Sequence, residues 1–414
     1  MTAKRIGSKR LLRDLNQNIV LGLIAEQGPL SRTDLARLCG LPGATITQIV
    51  GDFVAAGLVS EVTSQESSGG RRPILLSIRA DAGYAVAVKL RENGMTLTVC
   101  DLTCTVIHHR EDALPLGALP FEAVEVIARA VERCIQEAGI SRKRVLGVGV
   151  GLSGLIDSAR GLCRYSAILG WRDMELGPAL EFKLRLPVHI DNDVNALAVA
   201  ERQFGVGRDV TDFLLVTIGR GVGLGIVVGG EIYRGARGGA GEFGHIIVDT
   251  APDAPLCNCG KRGCLEAVAS DYGILRAVTG ADPGHSVEDA IGALVDRALA
   301  GDTGIQAVFA HAGTVLGIAI ANLINIFDPA LIVLGGEGVR AGELILGPLR
   351  TAIPQYIFGR SDADIALTIL QTNEVNWARG AASLVLHEVF RPPIYESETR
   401  PLIDDLLAVN GSRR

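Results

Sequence analysis

Residues 241–266 read GEFGHIIVDTAPDAPLCNCGKRGCLE, the strongest local signal in the chain. His245 precedes Cys257, Cys259 and Cys264, and Gly260 and Gly263 permit sharp turns that bring four soft or borderline donors around one tetrahedral ion. The spacing predicts a structural zinc site. A redox pair and plain buried thiols are the alternatives, although a redox pair usually has two residues between its cysteines. The other cysteines, Cys39, Cys100, Cys104, Cys134 and Cys163, are dispersed, unlike a secreted disulfide framework. Cys100 and Cys104 share one face of an expected strand and read as core.

Upstream, HIDNDVNALA (189–198) places Asn192 and Asp193 where a strand gives way to a helix, while Glu242 and Glu266 flank the cysteine loop. Carboxylates and amides converging in this way suit the hydroxyls of a sugar, which need many directional hydrogen bonds. Taken singly, Asp193 also reads as a helix cap and the two glutamates as surface residues. Around these residues an α/β pattern occurs twice. Strands are expected at 85–90, 95–102, 105–108 and 144–151 with a helix at 121–137, then strands at 212–218, 223–228, 231–233 and 331–334 with a long apolar helix at 313–327. Two such halves with glycine loops at strand ends predict two lobes around a cleft.

The chain has 414 residues, enough for two or three domains. Its 51 glycines, about 12% against the usual ~7%, occur as scattered pairs without a collagen-like period. The net charge of −6 argues against a generally basic coat, but it is unevenly spread: residues 1–79 hold 10 Lys+Arg against 6 Asp+Glu, and the rest is acidic. No uninterrupted apolar run approaches the ~18 residues of a membrane helix, and no signal-like segment follows the basic start, so a cytoplasmic protein without membrane contact is expected.

The basic segment has its own logic. Residues 9–26 place Leu12, Leu15, Ile19, Leu23 and Ile24 on one helical stripe. Ser31 with Asp34 opens a second helix, Gly40 supplies a turn, and a third helix from Pro42 buries Ile46, Ile49, Val50 and Phe53. Strand-like runs at 58–63 and 73–78 flank the loop SQESSGGRR. The combination predicts a winged helix-turn-helix, with Arg32, Thr33, Ala44, Thr45, Thr47 and Gln48 placed for the major groove and Arg71 and Arg72 on the wing for the minor groove or phosphate. A small helical domain with a solvated arginine loop is the alternative.

Taken together, SSGGRRP, GLSGLID, IDNDVNALA, TIGRGVGLGIVVGG, GAGEFGHI, CNCGKRGCLE and IVLGGEGV resemble the ROK family of repressors and sugar kinases, specifically its transcriptional regulators of the xylose-repressor and N-acetylglucosamine-repressor kind. The resemblance spans nearly the whole chain. It implies an α/β, actin-like two-lobed ROK domain preceded by an all-α winged helix-turn-helix domain. The domains expected are 1–79, a first lobe at 80–190 completed by a C-terminal helix at 374–390, and a second lobe at 191–373 with the zinc. It also implies that Asn192, Asp193, Glu242, His245 and Glu266, with Gly154 in a nearby loop, contact a sugar. His245 would hold zinc through one ring nitrogen and touch sugar with the other.

Kinases of the family use the position of Asp193 as the base and cradle phosphate in a D-x-G-G-T loop. Here the corresponding stretch is VKLRENG: Lys89 replaces the acid, and Arg91, Glu92 and Asn93 replace Gly-Gly-Thr. The second loop, IGRGVG, carries Arg220 where kinases usually have a small hydroxyl residue. Phosphoryl transfer depends on positioning and on electrostatic stabilisation of the phosphates, so no ATP use is expected and Asp193 is vestigial as a base. The reading is a sugar-responsive repressor, a homodimer or homotetramer on double-stranded operator DNA with a monosaccharide effector. An active sugar kinase fused to a DNA-binding module is the competing reading; a constitutive DNA-binding protein is a third.

Overall fold

The computed structural model describes residues 9–63, 73–92, 94–115, 119–280, 287–359 and 366–391. The chain forms two compact units, Met1–Arg208 with Glu374–Arg414, and Asp209–Asn373.

The first unit opens with α1 (Lys9–Gln27), β1 (Leu30–Ser31), α2 (Arg32–Cys39), α3 (Gly43–Ala55), β2 (Val59–Thr63) and β3 (Ile74–Ile78). The strands form an antiparallel sheet in the order β1-β3-β2 beside the helices. Ser31 caps α2 reciprocally with Asp34, and Gly40 leaves it at φ 65°, a left-handed conformation that glycine adopts without strain. Ile46, Ile49, Val50 and Phe53 are buried as their spacing requires. The stripe on α1 differs from expectation: Leu12 is 56% exposed, and the buried apolar side chains among the described residues are Val20, Leu21 and Ile24, because the core meets the C-terminal part of α1.

β4 (Tyr84–Leu90), β5 (Gly94–Asp101), β6 (Val106–Ala113), α4 (Pro120–Glu137), β7 (Val145–Leu152), β8 (Leu155–Asp157), β9 (Leu162–Ser166), β10 (Trp171–Met174), α5 (Leu176–Leu184), β11 (Val188–Asn192) and α6 (Asp193–Phe204) follow. Their main sheet runs β11-β7-β4-β5-β6, with β11, β7 and β4 parallel and β4, β5 and β6 an antiparallel meander. Cys100 lies in β5, but Cys104 sits in the turn after it at φ 60°, not on the same strand; both are buried.

The second unit contains β12 (Phe213–Ile218), β13 (Val222–Val228), β14 (Glu231–Ile232), α7 (Leu265–Ala269), α8 (Asp271–Thr279), α9 (Val287–Leu299), α10 (Thr303–Phe327), β15 (Leu331–Gly335), α11 (Glu343–Tyr356) and β16 (Ala366–Ile369). Its sheet, β14-β13-β12-β15-β16, repeats the first in kind, a meander joined to parallel strands. Helix α10 begins ahead of the expected residue 313 because Asp302 caps it, accepting from the Ile305 amide at 3.2 Å. By length and composition α10 is long and apolar enough to cross a membrane. It is nevertheless packed on α11, where a Cβ on Gly313 would come within 2.3 Å of the Ile345 carbonyl oxygen.

The chain returns to the first unit as α12 (Glu374–Phe390). Its packing explains why the second unit begins at Asp209 and not near residue 191. Helix α6 stays with the first unit, tied to α12 by Ser383 Oγ donating to the Ala196 carbonyl at 3.1 Å. On another side α12 lies directly on β7, since a Cβ on Gly149 would stand 1.8 Å from the Ala381 carbonyl oxygen. At its far end α12 reaches α1, where a Cβ on Gly22 would lie 3.2 Å from the Phe390 carbonyl oxygen. Val385, Leu386, Val389 and Phe390 share one core with Val20, Leu21, Ile24, Ile49 and Phe53.

Candidate metal centre and ligand-binding residues

In the second unit the cysteine loop closes as its spacing predicts. The Cys257 amide donates to the Lys261 carbonyl at 2.7 Å and the Gly260 amide to the Cys257 carbonyl at 2.9 Å, a tight turn between the first two cysteines and the third. Gly260 and Gly263 have φ of 86° and 73°. A side chain at Gly263 would collide with the Asp249 carbonyl oxygen at 1.8 Å. The ligand atoms of His245, Cys257, Cys259 and Cys264 lie within 4.8 Å of one another.

Two of those separations test whether an ion fits. Tetrahedral zinc with Zn–S near ~2.3 Å requires sulfurs about 3.8 Å apart. Cys259 Sγ and Cys264 Sγ are 3.7 Å apart, and Cys257 Sγ is 3.6 Å from His245 Nδ1. The donor set and its spacing therefore fit a metal ion. Burial pushes the Cys257 thiol well above its ordinary range, a cost that a bound cation would offset by stabilising the thiolate.

The two glutamates singled out in this unit, Glu242 and Glu266, lie beside the cluster. His245 directs Nδ1 at Cys257 and Nε2 toward Glu242, whose Oε2 is 3.9 Å away. Glu266, on α7, accepts from the Val222 amide at 3.3 Å through Oε2, while Oε1 lies 3.8 Å from Cys257 Sγ. Glu266 thus links the cysteine loop to the glycine turn before β13. In that turn Arg220 is exposed, and the Glu337 carboxylate lies so close to Gly219 that a Cβ there would be 2.6 Å from it.

The first unit holds the remaining candidates. Asn192, not Asp193, caps α6: its Oδ1 accepts from the Val194 and Asn195 amides at 2.9 and 3.4 Å. Its Nδ2 donates to the Gly154 carbonyl at 3.1 Å, which brings Gly154 and Asn192 together. Gly154 has φ 129°, and a Cβ there would be 2.2 Å from the Tyr165 carbonyl oxygen. Asp193 is thereby released from capping, and its Oδ2 forms an ion pair with Lys89 Nζ at the end of β4. Arg91 is also engaged, with Glu111 at 3.2 Å and Glu374 at 3.6 Å.

In the winged module Ala44, Thr47 and Gln48 are exposed on the first turns of α3 and Thr45 is half-buried. The Thr47 hydroxyl donates to the Gly43 carbonyl at 2.8 Å. Thr33 lies on the first turn of α2, and Arg32 is held by Glu61 of β2 at 2.5 Å. Arg71 and Arg72 lie outside the described residues.

The ROK family model matches residues 94–388 and a MarR family model matches residues 14–72. The chain belongs to the ROK family. The xylose repressor of Caldicellulosiruptor bescii is 28% identical over 94% of this chain and 100% of its own length. A solved ROK family transcriptional regulator, a homologue of the Escherichia coli MLC protein, matches at TM-score 0.78 and 28% identity over 97% of this chain and 100% of that one. A ROK glucokinase of Streptomyces griseus, solved with glucose and AMPPNP, matches at TM-score 0.61 and 30% identity over 73% of this chain and 99% of that one.

The α/β ROK domain is actin-like, and the winged module precedes it. The ROK match opens at residue 94, directly after VKLREN. The partner of the odd strand residue Lys89 escaped sequence reasoning, because Asp193 and the nearby Trp377 lie far along the chain and meet it only through the parallel sheet and α12. The signal was a lysine next to the end of the otherwise largely apolar strand YAVAVKL.

Proposed function

We propose that this ROK protein is a sugar-responsive, DNA-binding transcriptional repressor. The observation that carries the reading is the joining of a MarR-type winged module to a ROK domain along the full length of a named repressor. Ala44, Thr45, Thr47 and Gln48 on α3, with Thr33, Arg71 and Arg72, are its DNA contacts. Arg32, at the start of α2 and paired with Glu61, is a further DNA contact. Gly154, Asn192, Asp193, Glu242, His245 and Glu266 contact a monosaccharide, and His245, Cys257, Cys259 and Cys264 hold zinc. The protein works in the cytoplasm as a homo-oligomer on a palindromic operator, whose two half-sites match two winged modules.

Phosphoryl transfer is not part of this function. Lys89 and Arg91 replace the acid and the glycine of a phosphate cradle, and both are tied to carboxylates of the same unit. Helix α12 is a physical route from the Asp193 region to DNA: Trp377 lies beside Lys89 at one end, and Phe390 packs against α1 at the other. Sugar binding acts on the operator only if its affinity differs between the operator-bound and released states.

A gel shift with the DNA upstream of the protein's own gene, titrated with D-xylose, D-glucose and N-acetylglucosamine, tests the reading. A retarded band that one sugar alters is expected, and no band under any condition overturns it. The retained Asp193 and the likeness to a glucokinase favour a second reading, a kinase fused to a DNA-binding module. Coupled ATP turnover lost in Asp193→Ala would establish it.

A further inference from the structure

Lys89 is a lysine in a place that lysines avoid. Its side chain is 11% exposed and that of Asp193 13% exposed, so both charges have lost most of their water. An ammonium in such a position must be matched by an acid, and here one carboxylate oxygen of Asp193 does so. The ammonium also faces the Trp377 ring, 5.3 Å from its centroid, and Trp377 is itself buried on α12. The backbone of Asp193 is fixed by Asn192, which caps the helix that Asp193 opens, and its carboxylate Oδ1 accepts from the Val194 amide at 3.0 Å. Behind it β7 passes close, with a Cβ on Gly151 falling 3.7 Å from Asp193 Cα. One oxygen of the carboxylate is thus held by the Val194 amide and the other by the lysine, and the two together set its orientation.

We propose that Lys89 is a positioning residue of the sugar site, holding the Asp193 carboxylate in the orientation in which it accepts a hydrogen bond from a sugar hydroxyl. The proposal rests on the reading of Asp193 as a sugar contact. An acceptor whose direction is fixed before binding loses less freedom when the hydroxyl arrives, so the gain appears as affinity. In this account the residue that displaced the acid of the phosphate cradle has a positive role: it turns the position of a base into a fixed acceptor.

A double-mutant cycle tests it, with isothermal titration of D-glucose, D-xylose and N-acetylglucosamine into the full chain and the tightest of the three carried through. Asp193→Asn is expected to weaken binding about tenfold or more, and Lys89→Met to weaken it by roughly the same factor. Lys89→Arg, which keeps the charge and the reach, should restore affinity to within about threefold. Because Lys89→Met leaves a carboxylate without its cation, the Lys89→Met, Asp193→Asn pair, which buries neither charge, keeps the measurement readable if the single variant unfolds. That double variant should bind no more weakly than Asp193→Asn alone. Losses that simply add, or wild-type affinity in Lys89→Met, overturn the role of Lys89 and leave the sugar site standing. Wild-type affinity in Asp193→Asn, or no binding of any of the three sugars to the intact chain, overturns the sugar site and this proposal together.

Discussion

The cysteine loop of the second unit and the Lys89–Asp193 pair of the first are constructed on different scales. The four metal-ligand candidates fall within residues 245–264, and the turns that gather them are set by Gly260, Gly263 and a few backbone hydrogen bonds. Lys89 and Asp193 are 104 residues apart in sequence, and Trp377 is later still. They meet because β4, β7 and β11 run parallel and α12 lies across β7. On the proposed metal reading the loop is sensitive to its ligands and their ion, whereas the pair is sensitive to the packing of the whole first unit. Each has a separate point of failure, which permits direct tests of the comparison.

The largest effect is expected from the loop. Cys259 is the exposed member of the cluster, so Cys259→Ser removes a ligand without disturbing packing. It should release most of the bound metal and lower stability by several kcal/mol, the order expected when a structural ion loses one of four ligands. Metal content by mass spectrometry with thermal unfolding, each repeated after chelator treatment, measures both. The chelated parent should resemble the variant. Unchanged metal content in Cys259→Ser contradicts the assignment.

Next in size is Gly149→Ala, directed at the other region. The new methyl would meet the Ala381 carbonyl oxygen at 1.8 Å, so α12 must lift from β7. Overpacking against backbone costs about 3 kcal/mol. Urea unfolding should show the loss while metal content stays at the parent level. A midpoint within experimental error of the parent means that α12 does not rest on β7 as described.

These two tests also mark what was legible in the sequence. The cysteine loop was readable because all its ligands and its turn-forming glycines lie within one short segment, and the winged module was readable for the same reason. Most strands of the two repeated sheets followed from strand and glycine patterns, but β16 at the edge of the second was not among the expected strands. By contrast, the Lys89–Asp193 pair, the seat of α12 on β7 and the assignment of α6 to the first unit depend on contacts between segments more than a hundred residues apart. Local propensity and spacing carry no term for such contacts. Asn192 shows the limit at close range: both it and Asp193 suit an N-cap, and only the point at which the backbone turns helical, at Asp193, gives the cap to Asn192.

A third test asks how far the first unit extends. Gly22 on α1 faces the end of α12, and Gly22→Val would crowd the Phe390 carbonyl oxygen, which already stands 3.2 Å from the added Cβ. A cost of about 2 kcal/mol is expected, mostly from crowding and partly from a β-branched side chain in a helix. The same variant should weaken the effect of sugar on operator binding, since it loosens the contact between α12 and the winged module. Full sugar response in a destabilised Gly22→Val chain would remove α12 from the signalling route.

The smallest effect belongs to Ser31→Ala, and it sharpens the same question. Ser31 Oγ accepts from the Asp34 amide at 3.1 Å and donates to Asp34 Oδ2 at 2.6 Å, so the substitution deletes one half of the capping box and costs about 1 kcal/mol. The Ser31 hydroxyl, and after it the Ser31 backbone amide, donate to Asp34 Oδ2 and hold the Asp34 carboxyl below its ordinary value. A depressed folded-state pKa adds stability above the unfolded value near ~3.9 and loses it as pH falls through the folded value. The gap between parent and Ser31→Ala should therefore be widest near neutral pH and should narrow in acid below the ordinary carboxylate range. If the winged module and α12 share one cooperative core, the substitution shifts the single transition of the first unit, because a cap lost anywhere in a cooperative unit lowers the whole of it. A separate early transition confined to the winged module would instead divide the core that joins α1 to α12, and differential scanning calorimetry at two pH values distinguishes the two outcomes.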